Sequence, residues 1–182
     1  MNSHTKNDVD SLVIKVAKTN EEKRGAYRLR YDVFTRELND GRYADHDLQE
    51  FRDSDDVEGA FVFIALEKAN VVGTFRLKPL GNMEVIGVEA YGIPTLAKQL
   101  GVSLDSLRKT LAVIDRFTVS SDYRGKSLFK QLFSFVEAFA VERGVCTLVG
   151  AAESKRAVAL YMRALGCSKY SVVGTRNRIG GG

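Results

Sequence analysis

At 182 residues, 45% of them hydrophobic, the chain has the length of one domain and enough apolar side chains to form a core. Its net charge of +4 is uneven, with eleven basic against five acidic residues from Ala112 onward, a bias that suits a phosphorylated cofactor or an acidic carrier protein; no nucleic-acid recognition motif accompanies it. Cys146 and Cys167 lack any CxxC spacing, and no apolar run reaches the roughly 18 residues of a membrane span, so a disulfide framework, a metal site and stable membrane insertion are not expected.

We therefore expect one cytoplasmic domain over 1–182, with 1–10 a disordered tail. Leu12 to Ala17 alternates as a strand, and Thr19 with Glu22 forms a capping box opening a helix that carries Tyr27, Arg30, Val33, Phe34 and Leu38. The Asp-rich stretch from Asn39 to Gly59 reads as a long loop with a little local helix. Ala60–Leu66 and Val71–Leu77 read as a hairpin across "EKAN". An irregular segment from Leu80 to Pro94 precedes weak helices at Thr95–Leu100 and Leu104–Leu111. Leu111–Val119 is a strand, and Leu128, Leu132, Phe135, Val136 and Phe139 then fall at helical spacing, with Gly144 placed to end the helix. Val145–Ala151, a helix capped by Ser154 and a final "YSVVGT" strand complete a mixed α/β order.

The junction "SSDYRGKSLFKQLF" runs from strand to helix through Arg124, Gly125, Lys126 and Ser127. First-turn amides and the helix dipole make such a junction a phosphate site, and the two cations add charge. The motif is neither a Walker loop nor a GxGxxG fingerprint, and an ordinary strand–helix turn has the same ingredients.

The neighbouring residues add a resemblance. "FTVSSDYRGKSLFKQLF" is similar to the acyl-donor motif R/Q-x-x-G-x-G/A of the GNAT superfamily, with Asp122 in the first place and Ser127 in the last. "SKRAVALYMRALGC" resembles its second signature, with Tyr161 at the tyrosine that faces the leaving thiolate. Arg30 with Phe34, Gly73 with Arg76 and Leu77, and Arg116 with Phe117 and Val119 resemble three signatures of the acyl-homoserine-lactone synthases and the related long-chain N-acyl amino acid synthases. Val113 in place of a Glu, the lack of Trp, and the Tyr161 to Gly166 spacing favour the latter.

The resemblance implies a GNAT-like mixed sheet with a splayed central strand pair and helices on both faces. It implies an acyltransferase using an acyl-phosphopantetheine thioester, on acyl carrier protein or coenzyme A, with an amino acid as acceptor and no permanent cofactor. The donor would lie along Phe117, Thr118 and Val119 and the turn Arg124, Gly125, Lys126, Ser127 and Leu128. An apolar acyl tunnel would draw on Phe117, Leu128, Phe129, Leu132, Phe133, Val149 and Tyr161, with Phe61, Phe63 and Phe75 adding bulk.

Glu89, Asp115 and Glu153 are the candidate bases, with Tyr161 as proton donor to the thiolate. By strand alternation Asp115 and Arg116 point to opposite faces. Arg30, Arg76 and Arg116 form an electrostatic cluster with Asp45 and Asp47, or one of the arginines holds the acceptor carboxylate. An acetyl-CoA-dependent N-acetyltransferase, a lactone synthase and a catalytically lapsed binding module are the rival readings.

Overall fold

The computed structural model describes residues 12–56, 59–83 and 85–150. The expected C-terminal helix and last strand, with Glu153 and Tyr161, lie outside them. β1 (Val13–Val16) leads to α1 (Asn20–Arg30), where the Thr19 hydroxyl accepts from the Glu22 amide and the Glu22 side chain returns to the Thr19 amide. The capping box is thus complete, two orphan amides being satisfied reciprocally. The helix does not stop at Arg30. It widens into a π-helical segment, Tyr31–Glu37, which turns Phe34 inward.

The Asp-rich stretch is not simply a loop. It contains a short ribbon, β2 (Ala44–Asp45) against β3 (Glu50–Phe51), then a 3-10 turn at Ser54–Asp56. No local alternation marks strands of two residues; tertiary partners fix them. Phe51 is fully buried and stacks on Phe34 at 4.9 Å, and Glu50 accepts from Arg24 Nε at 2.7 Å.

β4 (Phe61–Glu67) and β5 (Asn70–Pro79) form the expected hairpin, and β6 (Leu111–Val119) matches its expected limits. Between them, α2 (Val85–Ala90) occupies part of the segment that looked irregular, followed by α3 (Ile93–Leu100) and α4 (Leu104–Thr110). After the turn come α5 (Leu128–Val141) and β7 (Thr147–Gly150). The five-stranded sheet runs β1-β4-β5-β6-β7, antiparallel except for the parallel β6–β7 pair. A parallel pair needs a crossover, and α5 supplies it. The last β6–β7 pairing is Ile114 with Gly150, so whether the two strands splay beyond it falls outside the described residues.

α5 packs on one face, where Phe63, Phe75, Leu77, Ala112, Ile114, Leu128 and Leu132 form the main core. α1 and α2–α4 cover the other face. Gly73 explains how close α5 comes: a Cβ there would stand 2.7 Å from Leu132 Cδ1 and 3.2 Å from Leu128 Cδ2. Val149 packs with Leu111 and Val113 on the opposite face, away from the expected tunnel residues.

Candidate active site

β5 and β6 pair residue for residue except at one point. Thr74 faces Thr118 and Arg76 faces Asp115, so the single residue Phe75 lies opposite both Arg116 and Phe117. This is a β-bulge, and Arg116 takes the extra place with φ of 53°. Such a backbone is uncommon for a long side chain and costs of order 1 to 3 kcal/mol, so its surroundings must hold it.

The bulge reverses the strand's alternation. Asp115 and Arg116, expected on opposite faces, meet in one cluster, while Phe117 turns to the α5 face.

Arg76, fully buried, is the centre of that cluster. Its Nε and Nη2 donate to the two oxygens of Asp115, both at 2.8 Å. Its Nη1 donates to Asp53 and lies 3.1 Å from Asp56 Oδ2. Asp53 also accepts from Arg116, and Asp56 accepts from Arg30 Nη1 at 2.8 Å. Three guanidinium groups thus meet three carboxylates, and the interior charge balances. The Arg116 guanidinium carbon lies 4.9 Å from the Tyr43 ring centre, 5.2 Å from Phe51 and 5.9 Å from Phe34, an aromatic setting that suits a weakly hydrated planar cation.

The counter-charges come from the Asp-rich stretch, but from its far end. Asp45 Oδ1 accepts from the Leu48 amide within the ribbon and Asp47 is exposed, so neither meets the three arginines. Asp53, Asp56 and Asp115 engage all three arginines, yet Nε and Nη2 of Arg30 and Nε of Arg116 are buried without a hydrogen-bond partner among the described residues.

Asp115 is poorly suited to be a base. Burial alone would raise its pKa, but the charge and hydrogen bonds of Arg76 outweigh that and hold it down at about 2, with Lys78 and Arg116 adding to the effect. Tyr91 donates to its Oδ2 at 2.6 Å, and the Lys78 ammonium lies 5.1 Å from the Tyr91 ring centre. A carboxylate so occupied takes no proton near neutral pH. Asp53 is likewise driven low: its burial is overcome by Arg76 and Arg116. Glu89 is exposed on α2. Tyr91 was missed in the sequence because no local pattern links it to Asp115, 24 residues on.

On the other face, Phe117 meets Phe129 edge-on at 4.3 Å and Phe75 at 4.7 Å, and Phe133 lies 6.3 Å from Phe75. Phe129 and Phe133 stand one turn apart on α5 and are only partly buried. An aromatic cluster therefore begins at the strand residue that follows the bulge.

The strand–helix turn retains the features of an anion site. Gly125 has φ of +75° with nothing within 4 Å of a built Cβ, so glycine is required there by backbone conformation and not by crowding. Ser127 precedes α5, but its hydroxyl accepts from Gln131 Nε2 at 2.8 Å and caps no amide. No acidic residue stands in the first turn of α5, and Lys126 and Lys130 are exposed. The Lys126 amide donates to the Tyr123 carbonyl and the Leu128 amide to the Lys126 carbonyl, and no side chain caps the positive end of this 14-residue helix. Arg124 is engaged elsewhere: its Nε donates to the Val119 carbonyl at 3.1 Å and its two terminal nitrogens to Glu37, at 2.9 and 2.7 Å.

No curated protein shows significant sequence similarity to the chain. Among solved structures, a CoA-dependent acyl-homoserine lactone synthase, BjaI, superposes with a TM-score of 0.61 at 20% identity, over 87% of this chain and 92% of that one. An integron cassette protein from V. cholerae gives 0.64 at 19% identity, over 94% and 93%. An aminoglycoside acetyltransferase from an uncultured soil metagenomic sample gives 0.58 at 16%, over 92% and 97%. At these identities the likeness is one of fold. The family model described as acetyltransferase (GNAT) family matches residues 24–167, most of the chain, and it follows that the protein belongs to the GNAT family.

Proposed function

We propose that this GNAT-family acyltransferase moves a medium- or long-chain acyl group from a phosphopantetheine thioester to the amine of an amino acid, in the cytoplasm. The observation that carries the reading is the meeting of Arg30, Phe34, Arg76 and Arg116 in one buried cluster beside the central strand. These are the residues in which the chain resembles the N-acyl amino acid synthases, and their joint engagement fits a role in ordering the N-terminal segment. The aromatic cluster of Phe117, Phe129 and Phe133 offers apolar surface suited to an acyl group longer than acetyl.

In this reaction the amine nitrogen attacks the thioester carbonyl carbon. Negative charge develops on the carbonyl oxygen, and a backbone N–H in Phe117–Val119 donates to it. The C–S bond then breaks, the amine loses a proton to a base, and the leaving thiolate gains one. With Asp115 committed to Arg76 and Tyr91, Glu89 and Glu153 remain as the bases of the proposal, and Tyr161 as the proton donor. The diphosphate or phosphate of the donor lies at the amides of Gly125–Leu128. The donor we assign is carrier-bound, Lys126 and Lys130 meeting an acidic carrier surface.

The test is product analysis by mass spectrometry with acyl donors from two to sixteen carbons, each presented on coenzyme A and on carrier protein, against a panel of amino acids. N-acyl amino acids from chains of eight carbons or more are expected, faster from the carrier. Acetyl transfer alone, or transfer only to amines that are not amino acids, overturns the reading.

A further inference from the structure

Glu37 ends the π-helical segment, and Arg124 stands in the donor turn, 87 residues away in the chain. The contact between them is bidentate, and the same guanidinium reaches the carbonyl of Val119, the last residue of β6. Three residues before Glu37, Phe34 lies against the guanidinium of Arg116. The segment Tyr31–Glu37 is therefore tied to β6 at two places, to Arg116 on one side of Phe117–Val119 and to Val119 on the other. Thr118, between them, is 2% exposed.

A π-helix is a poor structure to leave unsupported, since its wider hydrogen-bond ring is rarely sustained for more than a turn. Here it spans seven residues, and the two ties stand at its inner ring and its last residue. Glu37 also withdraws Arg124 from phosphate. Of the five guanidinium N–H groups, Glu37 takes one on each terminal nitrogen and the Val119 carbonyl takes Nε–H, and the two left over are not parallel, so no fork is left for a diphosphate.

We propose that Glu37 and Arg124 are positioning residues, a clasp that holds Tyr31–Glu37 beside the reacting strand and so shapes the acceptor side of the site. Arg124 is not a ligand of the donor phosphate. The inference rests on the reading that the donor's phosphate occupies the amides of Gly125–Leu128. In that arrangement one short turn serves both substrates: its amides and Lys126 face the donor, and its arginine fixes the wall that the acceptor meets.

The experiment compares wild type, Glu37→Gln, Arg124→Gln and the reversed pair Glu37→Arg with Arg124→Glu. Two readouts need no turnover: amide hydrogen exchange over 31–40, and calorimetric binding of coenzyme A. Each single variant is expected to speed exchange in that segment about two- to fivefold, the range for a half-exposed ion pair, while the Kd for coenzyme A stays within about twofold. The reversed pair is expected to recover protection. In turnover, the acceptor KM should rise while the donor KM holds. Unchanged exchange in Glu37→Gln, or a Kd for coenzyme A raised tenfold or more in Arg124→Gln, overturns the clasp. Wild-type protein that binds neither coenzyme A nor acyl carrier protein overturns the donor reading instead, and the exchange comparison then still decides whether the clasp exists.

Discussion

The two faces of β5 and β6 are built from alternate residues of the same strands, yet they solve burial by opposite means. On the α5 face, Phe75, Phe117 and Leu77 meet Leu128, Phe129 and Leu132, and stability depends on volume filled. On the α1 face, Arg76, Asp115 and Arg116 meet Arg30, Asp53 and Asp56, and stability depends on every charge having its partner. Apolar packing can be degraded by degrees. A balanced set of buried charges is damaged all at once, because each deletion leaves a carboxylate or guanidinium facing its own kind.

The largest effect expected from this contrast is that of Arg76→Leu, which leaves Asp53, Asp56 and Asp115 together. Removing one partner of a buried ion pair costs roughly 3 to 5 kcal/mol. Adding Asp115→Asn, which leaves Arg30 with Asp56 and Arg116 with Asp53, should recover more than half of that loss in denaturant unfolding. Leu132→Ala on the other face should cost a comparable 2 to 5 kcal/mol, roughly, with no second deletion that recovers it. If the double variant is no more stable than Arg76→Leu, the charged face is held by packing and the contrast fails.

Acid should reveal the same difference. Asp115 has a folded pKa of about 2, below the roughly 3.9 of an unfolded aspartate, and Asp53 is shifted in the same direction. Depressed carboxylates stabilise the fold fully above their unfolded pKa, and that contribution fades as pH falls through the folded value. Wild-type melting temperature should therefore drop steeply between about pH 4 and pH 2, and that of Arg76→Leu with Asp115→Asn less steeply. Parallel curves would count against it.

The smallest effect lies at the seam with α5. Gly73→Ala places a methyl 2.7 Å from Leu132 Cδ1, and overpacking of this kind costs about 1 to 3 kcal/mol. Pairing it with Leu132→Val, which shortens the opposing side chain, should return part of that in thermal melts. Gly73→Ala as stable as wild type would mean the helix can move away freely.

Much of the fold was legible because its signals are local. β6 was readable to its end residues from an apolar run, and α1 from the reciprocal Thr19 and Glu22 cap. The ribbon escaped because Phe34 and Arg24, not its own residues, make Phe51 and Glu50 strand-like. The three arginines were legible from their motifs, but their partners were not. Asp45, Asp47, Asp53 and Asp56 share one acidic stretch, and only the chain's path decides which reach inward. Asp115 looked like a base for the same reason: its type is visible in sequence, whereas Arg76 and Tyr91 on either side of it are not.

The bulge at Arg116 also acts as a phase shift in a two-letter code. Before it, odd-numbered residues of β6 face α2–α4; after it, even-numbered residues share that side with them. The strand is two messages spliced by one inserted letter, so its halves can vary separately, each conserving its own parity. Deleting that single residue would leave Phe117 toward the phenyl rings and Thr118 on the carboxylate side, whereas straightening the bulge with every residue kept would exchange them.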